Sequence, residues 1–150
     1  VNVNDITEEI LSLVETQSLF QNIEIIKDLD PNLPTIDGDK SQLQQVFINL
    51  AINAAEAMEN GGKLIVKSSF RDSSLEIKFT DTGCGIPSED IEKIFEPFFT
   101  TKSHMNGTGL GLAVSHGIIT KHNGTISVES SIKKGTTFTI RLPAKRDTAS

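Results

Sequence analysis

Between Leu75 and Thr80 the chain alternates at every position, Leu75, Ile77 and Phe79 against Glu76, Lys78 and Thr80. Successive side chains on a strand point to opposite faces, so this segment requires a sheet with one apolar face and one wet face. A parallel strand buried on both faces would read as a continuous apolar run instead. The same signal returns near the end of the chain, first at Ile126 and Val128 and then at Phe138, Ile140 and Leu142. All of these strands need a cover on one side only. Strands and helices are mixed here without regular βαβ alternation, which gives the expected fold class: an α+β two-layer sandwich, with a mixed, mostly antiparallel sheet covered on one face by about three helices.

The helices are legible in the 3.6-residue period. Asp5 and Glu8 have capping-box spacing, and Ile6, Ile10, Leu13 and Val14 recur with helical period, which predicts a helix over about 5–17. A β-branched run at 23–29 reads as a strand that stops at Asp30-Pro31-Asn32-Leu33-Pro34. Asp39 and Gln42 repeat the capping-box spacing before Leu43, Val46, Phe47, Leu50, Ala54 and Ala57, one face of a long helix that Asn60-Gly61-Gly62 ends. A hairpin pairs 64–70 with 75–80 around Arg71-Asp72-Ser73-Ser74. A polar stretch over 81–108 follows, interrupted by a short helix near 88–94; a connection that long is functional or disordered. Helical period resumes at Gly109 and runs through Ile118 to an Asn123-Gly124 stop, with Lys121 and His122 at the negative end of the dipole. Lys133-Lys134-Gly135 turns the last hairpin.

Size and charge exclude several classes. A chain of 150 residues, 37% hydrophobic, is one domain, expected over 1–143 with a polar, disordered tail at 144–150. The net charge of -6 argues against a nucleic-acid or anionic-membrane partner, because both need clustered Lys and Arg. No apolar run approaches the roughly 20 residues of a membrane span, and the first residues carry no basic segment of a signal peptide. Cys84 is the sole cysteine, so no internal disulfide forms, which suits a reducing, cytoplasmic compartment. A chain that starts at Val1 without Met is expected to be a piece of a longer protein.

Three constellations carry chemistry. On the long helix, Gln45, Asn49, Asn53 and Glu56 fall within a sector of about 80°, flanked by Leu43, Phe47, Leu50 and Ala54 on one side and by Ile48, Ile52 and Ala55 on the other. A polar stripe so walled needs partners, which a polar cavity or a bound ligand would supply. Asn side chains that bridge neighbouring elements give the same pattern, and the helix alone does not separate the two.

The second is Asp81-Thr82-Gly83-Cys84-Gly85-Ile86-Pro87, directly after a strand. A carboxylate fixed at a strand end can accept from the exocyclic amine of adenine, and Gly83 and Gly85 let the backbone approach a flat or charged ligand. Guanine would set its carbonyl oxygen against the same carboxylate, so Asp81 would prefer ATP to GTP. In isolation an ordinary Asp-Thr-Gly turn explains the segment as well. The third, Gly107-Thr108-Gly109-Leu110-Gly111-Leu112, opens a helix, where exposed backbone N–H groups and the helix dipole suit phosphate oxygens. It lacks the Lys of a P-loop, since Leu112 stands there, and a flexible hinge before a helix is the competing reading. Between these lie Phe95, Phe98 and Phe99, which must dock on the core, the natural reading for Phe95, or on a partner. Lys102 follows and could reach a terminal phosphate.

The motifs together resemble the catalytic and ATP-binding domain of sensor histidine kinases, in the Bergerat-fold superfamily of gyrase, MutL and the heat-shock chaperone ATPases. Residues 49–57 (NLAINAAEA) resemble the N box, 81–86 (DTGCGI) the first glycine box, 95–99 (FEPFF) the F box and 107–112 (GTGLGL) the second glycine box, in family order. The resemblance implies Asn53 as a ligand of Mg²⁺, with Asn49 and Glu56 in support. It implies Asp81 on the adenine amine, with a bridging water shared by Thr136 or Thr137. It places the β- and γ-phosphates on Gly107, Thr108, Gly109, Leu110 and Gly111, and a mobile lid over about 86–108, starting at Ile86.

ATP-hydrolysing relatives typically carry Glu where Asn49 stands, and an amide cannot act as a general base. The chain is therefore expected to present ATP rather than hydrolyse it. The resemblance implies a phosphoacceptor histidine on a separate, N-terminal dimerisation domain and, downstream, a response regulator receiver domain. His104, His116 and His122 lack the helical hairpin of such an acceptor, and the bland reading of His116 and His122 is a surface or satisfied histidine. An ATP-dependent protein-binding module and an anti-sigma-type serine kinase are the alternative readings.

Overall fold

The structure, a computed structural model, describes residues 1–96 and 111–144. The order of elements is α1 (Val3–Val14), a 3₁₀ turn (Ser18–Phe20), β1 (Ile23–Asp28), α2 (Lys40–Ala57), β2 (Gly62–Arg71), β3 (Ser74–Asp81), a single turn α3 (Ser88–Ile91), α4 (Gly111–Lys121), β4 (Thr125–Ser131) and β5 (Gly135–Pro143). The strands form one five-stranded sheet in the order β1-β2-β3-β5-β4. β1 runs parallel to β2, and the other three pairings are antiparallel. α1, α2 and α4 pack side by side over one face, as the alternation of β3 requires.

The register explains where the core sits. Val66 pairs with Phe79 and Phe79 with Phe138, so the apolar positions of neighbouring strands coincide on one face. Leu64, Val66, Leu75, Ile77, Phe79, Phe138, Ile140 and Leu142 are buried there against Leu43, Val46, Phe47, Leu50 and Ala54 of α2. The rings of Phe47 and Phe79 meet at 5.7 Å. The opposite face presents Glu76, Lys78, Thr80, Thr137 and Arg141, which is the wet side.

Two local expectations are corrected. α1 starts at Val3 rather than near Asp5: the Asn2 side chain is the cap, accepting from the Asp5 N–H at 3.1 Å. The helix also ends at Val14 because the 3₁₀ turn follows, which places Phe20 in the core. At α2 half of the expected capping box forms: Asp39 Oδ1 accepts from the Gln42 N–H at 3.0 Å, but the Asp39 N–H donates to His122 Nε2, also at 3.0 Å. The β2–β3 turn uses Asp72 and Ser73 at φ 53° and 62°, a primed hairpin built without glycine. Asn123, at φ 61°, takes the left-handed position after α4, and Gly124 donates to the Ile119 carbonyl at 2.9 Å. Ala144 is buried and its N–H reaches the Ser73 carbonyl at 3.0 Å, so the folded body extends at least that far.

Candidate nucleotide-binding site

The inward face of β3 carries Leu75, Ile77 and Phe79 and then, one step further along the same face, Asp81. Its side chain is 3% exposed. Cross-strand pairing sets Asp81 opposite Thr136, and Thr136 opposite Ser130. Thr137 belongs to the other face, where its hydroxyl meets that of Thr80 at 3.1 Å. Of the two threonines that the sequence leaves open, Thr136 is therefore the one that shares a face with Asp81.

Asp81 Oδ1 accepts from the Gly83 N–H at 2.9 Å. Burial lifts its carboxyl from the usual 3.8 to about 6, against the lowering effect of hydrogen bonds from the Gly83 and Thr136 backbones. A buried carboxylate with so little local compensation is a group prepared to receive a donor.

The loop after Asp81 is held between α2 and the β4–β5 hairpin. The Cys84 N–H donates to the Ala57 carbonyl at 3.1 Å, and a Cβ on Gly83 would stand 2.5 Å from that same oxygen. Gly85, at φ 79°, faces the Ser131 carbonyl where a Cβ would go. The sequence ascribes these glycines to the approach of a ligand; the space each leaves open is filled by protein backbone, and their conformations seat the loop. Ile86 is buried, and its N–H donates to Ser130 Oγ at 2.7 Å. Ser130 in turn donates to the Gly135 carbonyl at 3.0 Å and meets the Thr136 hydroxyl at 2.7 Å. A single hydroxyl thus ties the first glycine segment to the strand opposite Asp81.

The α2 stripe divides into two parts. Asn49 is fully engaged: its amide donates to the Gly111 carbonyl at 3.1 Å and to Ser115 Oγ at 3.2 Å, while its oxygen accepts from Gln45 Nε2 at 2.9 Å. It is the bridging side chain of the two readings. Asn53 and Glu56 lie one and two turns further on, half-buried, and neither side chain makes a hydrogen bond to a described residue. Desolvation raises the Glu56 carboxyl above its usual value. The second apolar flank is a buried wall only in part: Ala55 is buried and Ile48 partly so. Ile52 is 37% exposed and, with Ile48, lines a groove beside Leu13, Val14, Leu19 and Phe20.

Gly111 begins α4, and a Cβ there would meet Asn49 only at ordinary contact distance, 3.7 Å. Phe95 docks on the core as expected, with its ring 6.4 Å from that of Phe138 and 5.4 Å from that of His116. Phe98, Phe99, Lys102, His104, Gly107, Thr108, Gly109 and Leu110 lie outside the described residues. Ser130 and Ser115 went unread in the sequence. Ser130 continues the inward series of Ile126 and Val128, and Ser115 sits one turn after Gly111 on the buried side of α4, so period alone could have found both. No group of three or more His, Cys, Asp or Glu able to hold a metal occurs among the described residues.

Comparison with known proteins extends this picture. Residues 38–146 match the family described as histidine kinase-, DNA gyrase B-, and HSP90-like ATPase. The chain is 43% identical, over 95% of its length, to the signal transduction histidine-protein kinase AtoS of Escherichia coli K12, and spans 23% of that protein. The mycobacterial sensor histidine kinase MprB superposes with a TM-score of 0.86 at 30% identity, covering 97% of each chain. Histidine kinase ThkA in complex with the response regulator protein TrrA superposes with a TM-score of 0.81 at 31% identity, covering 99% of this chain and 42% of that one.

Proposed function

The chain belongs to the histidine kinase-, DNA gyrase B-, and HSP90-like ATPase family, as an ATP-binding catalytic domain of the histidine kinase kind, and from that premise we propose how its residues serve phosphoryl transfer. Residues 1–143 act as one catalytic unit with residues 86–108 as its lid, donating the γ-phosphoryl group of ATP to a histidine on a separate dimerisation domain. The observation that carries the reading is Asp81, a carboxylate buried on the helix-facing side of the sheet with Thr136 across from it. The adenine amine donates to this carboxylate, and Thr136 holds a bridging water. Gly83, Gly85 and Ile86 shape the edge of the pocket.

Where Mg²⁺ is bound, Asn53 would be its protein ligand. Magnesium takes few protein oxygens, so a carboxamide oxygen beside a half-buried carboxylate, Glu56, would be a suitable donor set. Held there, the ion would neutralise charge on the phosphates. The β- and γ-phosphates rest on the backbone of residues 107–111, and Lys102 meets the terminal phosphate as a point charge. Asn49 holds the start of α4 in place, and because an amide cannot deprotonate water, transfer to an acceptor outruns hydrolysis. Positioning and charge neutralisation are most of what phosphoryl transfer needs, so the acceptor and its base can come from another domain.

The chain spans under a quarter of the length of AtoS, which leaves room for such a domain. Resemblance to ThkA, solved with TrrA, supports a response regulator as the next partner. No helix among the described residues is long and apolar enough to cross a membrane, and we place the domain in the cytoplasm. The test is titration with a fluorescent ATP analogue. Asp81→Asn should weaken binding at least tenfold by replacing an acceptor with a donor, and unchanged affinity would remove the adenine assignment. In the full-length protein the phosphate formed should be acid-labile; an acid-stable phosphoserine or phosphothreonine would favour the serine-kinase reading.

A further inference from the structure

α4 lies antiparallel to α2 and is fastened to it at both ends. At its start, Gly111 O and Ser115 Oγ accept from the Asn49 amide. At its end, His122 Nε2 accepts the Asp39 N–H at 3.0 Å, and His122 Nδ1 lies 2.8 Å from the Ile118 carbonyl of its own helix. An N–H can only donate, so Nε2 is the bare nitrogen and the ring hydrogen sits on Nδ1, directed at Ile118. The two fastenings are matched in span: ten residues of α2 separate Asp39 from Asn49 and eleven of α4 separate Gly111 from His122, each about 15–17 Å of helix. A helix held at one point can slide or roll by a fraction of a turn, whereas one held at two cannot.

In a capping box the N–H of the N-cap residue is answered by its own helix, here by the Gln42 side chain in the expected box. His122 makes that bond instead. A second observation points the same way. A Cβ on Gly38 would lie 3.0 Å from His122 Cδ2 and 3.2 Å from Nε2, so the residue before the cap is one that leaves the ring room to seat.

We propose that His122 is a positioning residue for the nucleotide site: by capping α2 from α4 it fixes the axial register of the two helices. It thereby fixes the distance from Asn53 and Glu56 on one to Gly111 on the other. This rests on the assignment of those residues to ATP. His122 touches no reacting atom and acts through helix placement alone.

Three substitutions separate this role from simple stabilisation. His122→Gln carries an amide oxygen that can take the Asp39 N–H; His122→Asn keeps a donor for Ile118 but is too short to reach Asp39. Affinity for the magnesium complex of a non-hydrolysable ATP analogue should stay within about twofold for His122→Gln and fall roughly three- to tenfold for His122→Asn, the scale of one lost hydrogen bond. Both are measured where urea titration shows the protein fully folded. Gly38→Ala, which presses a methyl on the ring while leaving His122 itself intact, should show the same loss and serves if His122→Asn does not fold. Long-range ¹H–¹⁵N spectra of the unliganded domain should show the hydrogen on Nδ1, and the Gly111 amide resonance should move in His122→Asn but not in His122→Gln. A hydrogen on Nε2, or wild-type affinity in folded His122→Asn, would overturn the proposal. Were the wild-type domain not to bind the analogue at all, the ATP assignment would fail, and the tautomer and the Gly111 resonance would still judge the fastening.

Discussion

Along the inward face of β3, three residues are buried as hydrocarbon and the fourth as a carboxylate. Leu75, Ile77 and Phe79 face α2 and the neighbouring strands with no polar atom to satisfy, and Asp81 occupies the next place in the same series at 3% exposure. The two ends of one strand therefore contribute with opposite sign. Hydrocarbon removed from water stabilises the fold by about 25 cal/mol per Å², whereas burial of Asp81 disfavours its charged form and raises its carboxyl to about 6. The apolar end holds the sheet under the helices; the carboxylate end carries a cost in stability, which the adenine amine of the proposed function would offset.

The largest effect should come from the apolar end. Phe79→Ala removes a ring wedged between Phe47 and the strands on either side, and is expected to destabilise the domain by about 3–5 kcal/mol, read from the urea midpoint. At the other end, Asp81→Asn should do the reverse. The amide oxygen can still accept from Gly83, and the buried charge is gone, so the unliganded domain should gain roughly 1–3 kcal/mol at pH 7. The sign follows from the raised carboxyl. The folded state holds the proton more tightly than the unfolded chain, so the cost of the charge is complete above about pH 6 and disappears as the pH falls toward 4. The stability gap between Asp81→Asn and wild type should therefore shrink between pH 7 and pH 4, and a gap independent of pH would break the comparison. ATP affinity should show the complementary trend. An amine donor favours the ionised carboxylate, so wild-type affinity should fall relative to Asp81→Asn as the pH drops through 6.

A smaller effect tests what supports the carboxylate end. Ser130→Ala removes the acceptor of the Ile86 N–H and the partner of the Thr136 hydroxyl in one step. The expected loss is about 1–2 kcal/mol, since the Ile86 N–H, the Thr136 hydroxyl and the Gly135 carbonyl are each left without that partner. Protection of the Ile86 amide from hydrogen exchange should fall with it.

These contrasts also mark what the sequence could and could not tell. Alternation at Leu75, Ile77 and Phe79, and again at Phe138, Ile140 and Leu142, is a property of single strands, so the one-faced sheet and its cover of helices followed directly. Capping by Asp39 is local too, and half of it stood. The other half failed because the Asp39 N–H is answered by His122, far away in the chain, and no local rule names a partner across such a separation. The glycines of the first segment were legible as special positions but not as to why: only the fold shows that Ala57 and Ser131 occupy the space beside Gly83 and Gly85. Likewise the stripe on α2 was visible, but its division into a bridging Asn49 and an Asn53 whose side chain engages none of the described residues depends on where α4 lies. The candidate site was thus readable as a set of candidate residues and not as an arrangement.

The outward face of β3 supplies the control for all of this. Glu76 lies one residue from both Leu75 and Ile77 and points the other way, accepting from Arg141 Nε at 3.0 Å with Lys78 Nζ at 3.7 Å. It has partners of a kind that Asp81 lacks among the described residues, yet both cations are largely in water, where screening and side-chain entropy leave little net attraction. Glu76→Gln should change stability by no more than about 0.5 kcal/mol and leave nucleotide affinity untouched, with the small loss fading further as salt is added. The two carboxylates stand on the same strand, so a large effect at Glu76 would mean that charge on β3 matters wherever it sits, and that the response at Asp81 reflects the sheet rather than its buried end.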